Sequence, residues 1–236
     1  MESLSLPSLL AVGLLFGLKH ALDADHVAAV ASIASERRSV LSSTLVGAWW
    51  GVGHAAALLV AGALVILFRV QISDRVASTL ELCVAATLIL VGANTLWTLA
   101  RSNQVHVHVH RHGGRVHVHP HAHEQPHQHQ SVADDGHHGV PGQTRPLLVG
   151  VVHGFAGSAA LMLLVASTIP SPLLGFAYIG AFGIGSIGGM IAMSALVGLP
   201  VTLTAQRYNR ANVALRTAAG VFSICLGLGV AYQIVM

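Results

Sequence analysis

The chain has 236 residues, 53% of them hydrophobic and only 9% charged, with a formal net charge of +3 and a mean hydropathy of +0.68. Soluble domains carry about 25% charged residues, so this composition excludes an ordinary soluble enzyme and points to a polytopic membrane protein. The pI of about 9.3 does not signal nucleic-acid binding, because the arginines are scattered between apolar runs with no basic stripe and no interleaved aromatics.

Six apolar segments are long enough to cross a bilayer, which takes about 20 residues: 6–34, 40–68, 76–100, 147–169, 173–199 and 211–235. The first lacks the basic n-region and small-residue cleavage site of a signal peptide, and its apolar run is too long for one. The first, second and fifth exceed the bilayer's need. Tilt absorbs such an excess, and so does a helix interrupted at a polar motif.

The first segment contains that motif, His20-Ala-Leu-Asp-Ala-Asp-His26. Charged groups in lipid are costly, face protein or water, and are functional by default. On a continuous helix His20, Asp23 and His26 share a face within roughly 120°, with Lys19 on the same face. Asp25 points away, so it either orients a ligand from behind or marks a distortion of the helix. Donors from elsewhere are His54, in Gly51-Val-Gly53-His54 of the second segment, and His153, beside Gly154 in the fourth. Glycines there allow close approach of backbones. The expected metal site is therefore His20, Asp23, Asp25, His26, His54 and His153. Its nitrogen and oxygen donors, without sulfur, suit Ni(II) or Co(II) and leave Zn(II) open.

Cys83 and Cys225 both fall in apolar segments and read as small buried residues. Residues 101–145 are different in kind. Twelve of the sixteen histidines lie between His106 and His138, among Gly, Pro and Gln. So little apolar content predicts a disordered loop, although the Val-His alternation also fits a short strand with its imidazoles on one face. His106, His108, His110, His112, His117, His119, His121 and His123 are expected to capture metal as an accessory function.

The loops after segments one, three and five carry Arg37, Arg38, Arg101, Arg111, Arg115, Arg145, Arg207, Arg210 and Arg216, against Arg69 and Arg75 on the other side. The positive-inside rule then puts the His-rich loop in the cytoplasm and both termini outside the cell membrane. Two halves are also alike. Gly17-Leu-Lys-His20-Ala-Leu-Asp-Ala-Asp25 aligns on Gly150-Val-Val-His153-Gly-Phe-Ala-Gly-Ser158, and Gly51-Val-Gly-His54 on Gly183-Ile-Gly-Ser186. Three spans per half is an odd number, so the halves insert with opposite orientation. The expected fold is all-α, with about six transmembrane helices in two inverted three-helix repeats: half one at 1–100, the loop at 101–145, half two at 146–236.

Lys19-His-Ala-Leu-Asp-Ala-Asp-His26 resembles the signature helix of the nickel/cobalt transporter family, a basic residue followed by His-Ala-x-Asp-Ala-Asp-His. Gly51-Val-Gly-His54 resembles the Leu-Gly-His motif of that family's next helix, and Gly189-Met190 the start of a later Gly-Met motif. The resemblance covers residues 6–100 and 146–200. The chain departs from it in three places: it has six segments where typical members have about eight, His153-Gly-Phe-Ala-Gly-Ser158 replaces an acidic Asp-Thr-rich motif, and Ser194 replaces an Asp. That pattern is closer to the shorter urease-accessory-type branch.

The resemblance implies Ni²⁺ or Co²⁺ bound by the signature helix, and a transporter rather than an enzyme, with no resident cofactor. Uptake supplying metalloenzyme assembly is the first expectation, because a negative-inside potential draws a dication inward; its partners are the lipid bilayer, the ion and a cytoplasmic metallochaperone. Efflux, coupled to protons, is the alternative. A transmembrane thiol relay through Cys83 and Cys225 is a second alternative, but neither cysteine has the flanking charge that tunes a reactive thiol. A haem protein using His20, His54 or His153 is a third.

Overall fold

The computed structural model describes residues 5–37, 39–69, 73–102, 106–112, 115–121, 143–156, 169 and 171–236. Seven helices are described: α1 Leu6–His20, α2 Ala24–Ser35, α3 Val40–Phe68, α4 Asp74–Ser102, α5 Thr144–Phe155, α6 Pro172–Arg207 and α7 Asn209–Val235. The helices α3, α4, α6 and α7 are each long and apolar enough to cross a membrane, and α1 with α2, bent by 58° at their junction, makes a fifth candidate span. The protein is thus a polytopic helical membrane protein. Of the fourth expected segment only residues 147–156, all but the last within α5, and Ile169 are described.

Local chemistry sets the boundaries. Pro7 and Pro172 stand in the first turns of α1 and α6, where a missing N–H costs nothing. Ser39 caps α3 through a reciprocal capping box with Ser42. Arg69 ends α3 in the left-handed region, at φ 52°. Pro200 sits inside the 36-residue α6; helices in lipid tolerate this where side chains and neighbours re-satisfy the backbone.

Helices α3 and α6 lie against one another at the centre, α1 packs on α6, α5 packs on α3, and α4 pairs with α7. The short α2 sits among α3, α4, α6 and α7 and is the most enclosed element, with Ala28, Ala29, Val30, Ile33 and Ala34 all buried. Long apolar side chains such as Leu41, Leu90, Leu173 and Ile184 face outward, as lipid rather than water is their solvent.

Glycines make the close approaches. A Cβ on Gly17 would meet Phe182 O at 2.0 Å, and one on Gly150 would meet Trp50 O at 2.1 Å. A Cβ on Gly185 would meet Leu14 O at 2.1 Å, and one on Gly53 would meet Leu147 O at 2.2 Å. Each pair of contacts joins positions that correspond in the internal repeat. The same contacts give directions. Gly13 neighbours Tyr178 and Gly17 neighbours Phe182, so α1 and α6 run parallel, as do α3 and α5. Gly47 neighbours Met190 while Gly198 neighbours Ser43, so α3 and α6 run antiparallel.

At the end where the His-rich loop attaches, Glu36 ties three helices together. Its Oε1 accepts from Asn94 Nδ2 and Thr95 Oγ1, each at 3.0 Å, and its Oε2 pairs with Arg145 Nη1 at 3.0 Å.

Within 101–145, residues 101–102 continue α4 and 144–145 begin α5. Between them lies an antiparallel hairpin, β1 His106–His112 with β2 Arg115–His121, so the chain is all-helical only in its membrane part. Alternating β-branched valine suits a strand, and Gly113-Gly114 between the strands is a dipeptide favoured by two-residue hairpin loops. The register pairs His106 with His121, His108 with His119 and His110 with His117. The expectation of disorder falls largely on residues 122–142, which lie outside the described residues, as does His123.

Candidate metal centre

The signature motif does not form one helix. Leu22 N donates to Lys19 O at 2.9 Å and Asp23 N to His20 O at 3.0 Å, which tightens the last turn of α1 and stops it. Asp23 then takes the N-cap position of α2, a site that favours Asp. Its carboxylate makes no capping bond, however; it accepts from His20 Nδ1 at 2.8 Å. Asp25 stands in the first turn of α2, where the positive end of the helix dipole favours an anion.

Of the two forms expected for 6–34, a tilted continuous helix or one interrupted at its polar motif, the structure has the second. Across a 58° bend the wheel no longer applies, and Asp25 does not point away: its Oδ1 is 3.4 Å from His26 Nδ1. Lys19, expected on the same face as the ligands, is exposed, while Gly17 and His20 are the buried residues of that turn.

The break brings His20 and His26 ring to ring, with centroids 4.5 Å apart, and α3 presents His54 to both, at 5.0 and 5.1 Å. All three are buried, and their ligand-type nitrogens lie within 4.8 Å of one another. Asp23, Asp25 and His26 form a second such group. A proton held on His20 Nδ1 by Asp23 leaves Nε2 as the lone-pair atom, the arrangement by which carboxylates orient metal-binding histidines. That Nε2 is 3.2 Å from His54 Nε2, close to the spacing of two nitrogens each about 2.0–2.1 Å from one ion.

His153, also buried, adjoins the cluster without joining it. Its ring lies 5.5 Å from His26 and 5.1 Å from Trp50, and its Nδ1 donates to Val149 O at 3.0 Å. Its Nε2 is left without a partner, as are both nitrogens of His26, His54 Nδ1 and Trp50 Nε1. Each buried unpaired group costs about 1–3 kcal/mol. So many converging at one place form a site whose valences suit a cation rather than one another.

Three neighbours were not expected. Trp50 lies one turn before His54 on α3 with its ring 5.9 Å from His26, Phe182 lies 5.3 Å from His20, and Ser186 Oγ donates to Gly17 O at 3.3 Å. The internal repeat carried a signal for two of them, since it pairs Ser186 with His54 and, one turn earlier, Phe182 with Trp50. Ser194 is buried beside Gly47, its hydroxyl without a partner among the described residues. Cys83 and Cys225 are free and exposed, not buried. In lipid an outward face hides a small apolar side chain as well as a core does, and the exposed thiols stand apart from the histidines.

The family model described as high-affinity nickel-transport protein matches residues 6–236. Over 234 residues the chain is 32% identical to the urease accessory protein UreH of Bacillus sp. (strain TB-90), a match covering 99% of this chain and 95% of that one. It is 28% and 26% identical to the chloroplast proteins FOR GROWTH AND FERTILITY 1 and 2 of Arabidopsis thaliana, covering 92% of this chain but only 57% and 54% of theirs. No solved structure matches. The signature motif, the helix broken at it and the match over nearly the whole chain agree: the protein belongs to the high-affinity nickel-transport protein family, and is a membrane transporter rather than an enzyme.

Proposed function

We propose that the protein carries Ni²⁺, and Co²⁺ as a close analogue, inward across the cell membrane, with His20, His26 and His54 as the principal ligands. The observation that carries this reading is the buried set of imidazoles with open valences at the break between α1 and α2. Asp23 orients His20. Asp25 neutralises charge beside His26, and His153 stands next to the cluster from the second half with its Nε2 open. Ni(II) takes roughly four to six ligands, more than three imidazoles provide, so the carboxylates, His153 or water fill the remainder.

Six spans in two inverted repeats fit this site. The α1–α6 and α5–α3 pairings exchange under such a repeat, and so do the glycine contacts Gly17–Phe182 and Gly150–Trp50. Discontinuous helices at a repeat interface are where transporters of this plan bind their ions. The arginine distribution supports termini outside and the His-rich loop in the cytoplasm, where its imidazoles buffer the arriving metal and a metallochaperone collects it. The relative named as a urease accessory protein supports a destination in enzyme assembly.

A negative-inside potential supplies about 2.3 kcal/mol per charge per 100 mV, enough to drive a dication inward without a second ion. Metal flux in proteoliposomes of known orientation tests this. Ni²⁺ uptake should follow an imposed inside-negative potential with no proton gradient, with Co²⁺ next and Zn²⁺ slower. Flux that appears only against an opposing proton gradient would make the protein an exporter.

A further inference from the structure

Glu81 has no part in the site described so far. It lies two turns, roughly 10 Å, inside α4, beyond the polar first turns that hold Asp74, Arg75, Ser78 and Thr79, is half-buried, and makes no hydrogen bond or ion pair among the described residues. An ionisable side chain at that depth is costly unless it faces water or a partner. Glu81 lines a cavity of about 250 Å³ together with Val84, Ala24, Asp25, Ala156 and Val230. Two carboxylates, from α2 and α4, therefore share one space. The wall at Asp25 is continuous with the metal centre: His26, 1% exposed and with neither ring nitrogen hydrogen-bonded, brings Nδ1 to 3.4 Å from Asp25 Oδ1. Glu81 near the start of α4 and Val230 near the end of α7 also put this cavity at the end of the molecule opposite Glu36, Arg145 and the His-rich loop.

We propose that Glu81 and Asp25 form the approach site of the transported dication. The hydrated ion is held between the two carboxylates in this cavity. It exchanges its water for imidazole nitrogen when it passes from Asp25 to His26. This inference rests on the proposed role of the histidine cluster and adds its access route. The carboxylates raise the local concentration of a dication and so its rate of arrival, and Glu81 adds nothing to the final coordination sphere. Glu81 is thus a capture residue, and its contribution weakens with ionic strength.

Initial Ni²⁺ flux into proteoliposomes, measured on the full chain against metal concentration, tests this. Glu81→Gln should raise the half-saturating concentration by at least about fivefold, leave the maximal rate within about twofold, and flatten its dependence on salt; Glu81→Asp should restore most of the loss. In a second measurement, with Cys83 and Cys225 replaced by serine, Val84→Cys should react with a water-soluble maleimide, and Ni²⁺ should slow that reaction only while Glu81 is present. Unchanged half-saturation in Glu81→Gln, or a lowered maximal rate with unchanged half-saturation and salt dependence, overturns the approach site. His20→Ala separates the two readings. If it abolishes flux while Glu81→Gln matches the native protein, only the approach site fails; if it leaves flux intact, the histidine site fails and this inference with it.

Discussion

Two polar clusters inside the helical bundle are built on opposite terms. Around Glu36, both carboxylate oxygens are taken up: Asn94, Thr95 and Arg145 supply donors at 3.0 Å, and three helices are tied where the loop attaches. Around His26, by contrast, the imidazoles crowd within about 5 Å of one another, yet half of their nitrogens, both of those on His26 included, meet no donor or acceptor among the described residues. A satisfied network stabilises the fold. An unsatisfied one costs stability in the absence of a ligand and returns it on binding. On the function proposed above, the difference separates a cluster that holds helices together from one that holds an ion, though both are polar and made of ordinary side chains.

The strongest way to break this comparison is to remove a ligand. His20→Ala and His26→Ala are each expected to lower Ni²⁺ affinity by about 100-fold or more while the protein still inserts, as isothermal titration and membrane fractionation would report. The native protein should gain about 2.7 kcal/mol of stability at a metal concentration 100 times its Kd, and both variants should gain almost none. Lowering the pH should weaken binding in the native protein, since an imidazole must be neutral to hold the ion and binding releases protons. Affinity that is flat with pH, or unchanged in both variants, would mean that the open valences are a packing feature.

Asp23→Asn sharpens the comparison, because it leaves the imidazoles in place and loosens only the bond that orients His20. A loss of about 10–100-fold in affinity is expected, smaller than for His20→Ala. His54→Ala should weaken binding more than His153→Ala, since His54 approaches His20 at 3.2 Å whereas the ring of His153 lies 5.5 Å from that of His26 and 5.1 Å from that of Trp50. The reverse order would shift the centre toward the second half.

Glu36→Gln acts on the other cluster. It removes the charge that pairs with Arg145, and because the pair is partly exposed the expected cost is only about 1 kcal/mol. The thermal midpoint should fall slightly and Ni²⁺ affinity should stay put; a large change in affinity would join the two clusters that the geometry keeps apart. The smallest effect on transport is expected from replacing residues 104–139 by a Gly/Ser linker. Flux should stay near native while the number of ions bound per protein falls, because the replaced stretch carries twelve imidazoles and none of the residues of the proposed site.

Much of this protein is determined by its sequence alone. Apolar runs of bilayer length can only be helices in lipid, since every backbone group must find its partner within the segment, and α3, α4, α6 and α7 fall where hydropathy puts them. Charged and imidazole groups in such runs stand out against their surroundings, so His20, Asp23, Asp25, His26, His54 and His153 could be named without coordinates. Tertiary structure decided what those groups do to one another. The Asp-Ala-Asp at 23–25 has the look of a helix start, but within a long apolar run that local signal competes with helix continuity, and only packing of the small α2 among α3, α4, α6 and α7 makes the break the better solution. The break turned Asp23 toward His20, Asp25 toward His26 and Lys19 to the outside. Glu81 was silent for the same reason, and Trp50 and Phe182 were marked only by their pairing in the repeat: a large apolar side chain or a lone carboxylate gains its meaning from which neighbour it faces, and that is set by contacts between helices far apart in the chain.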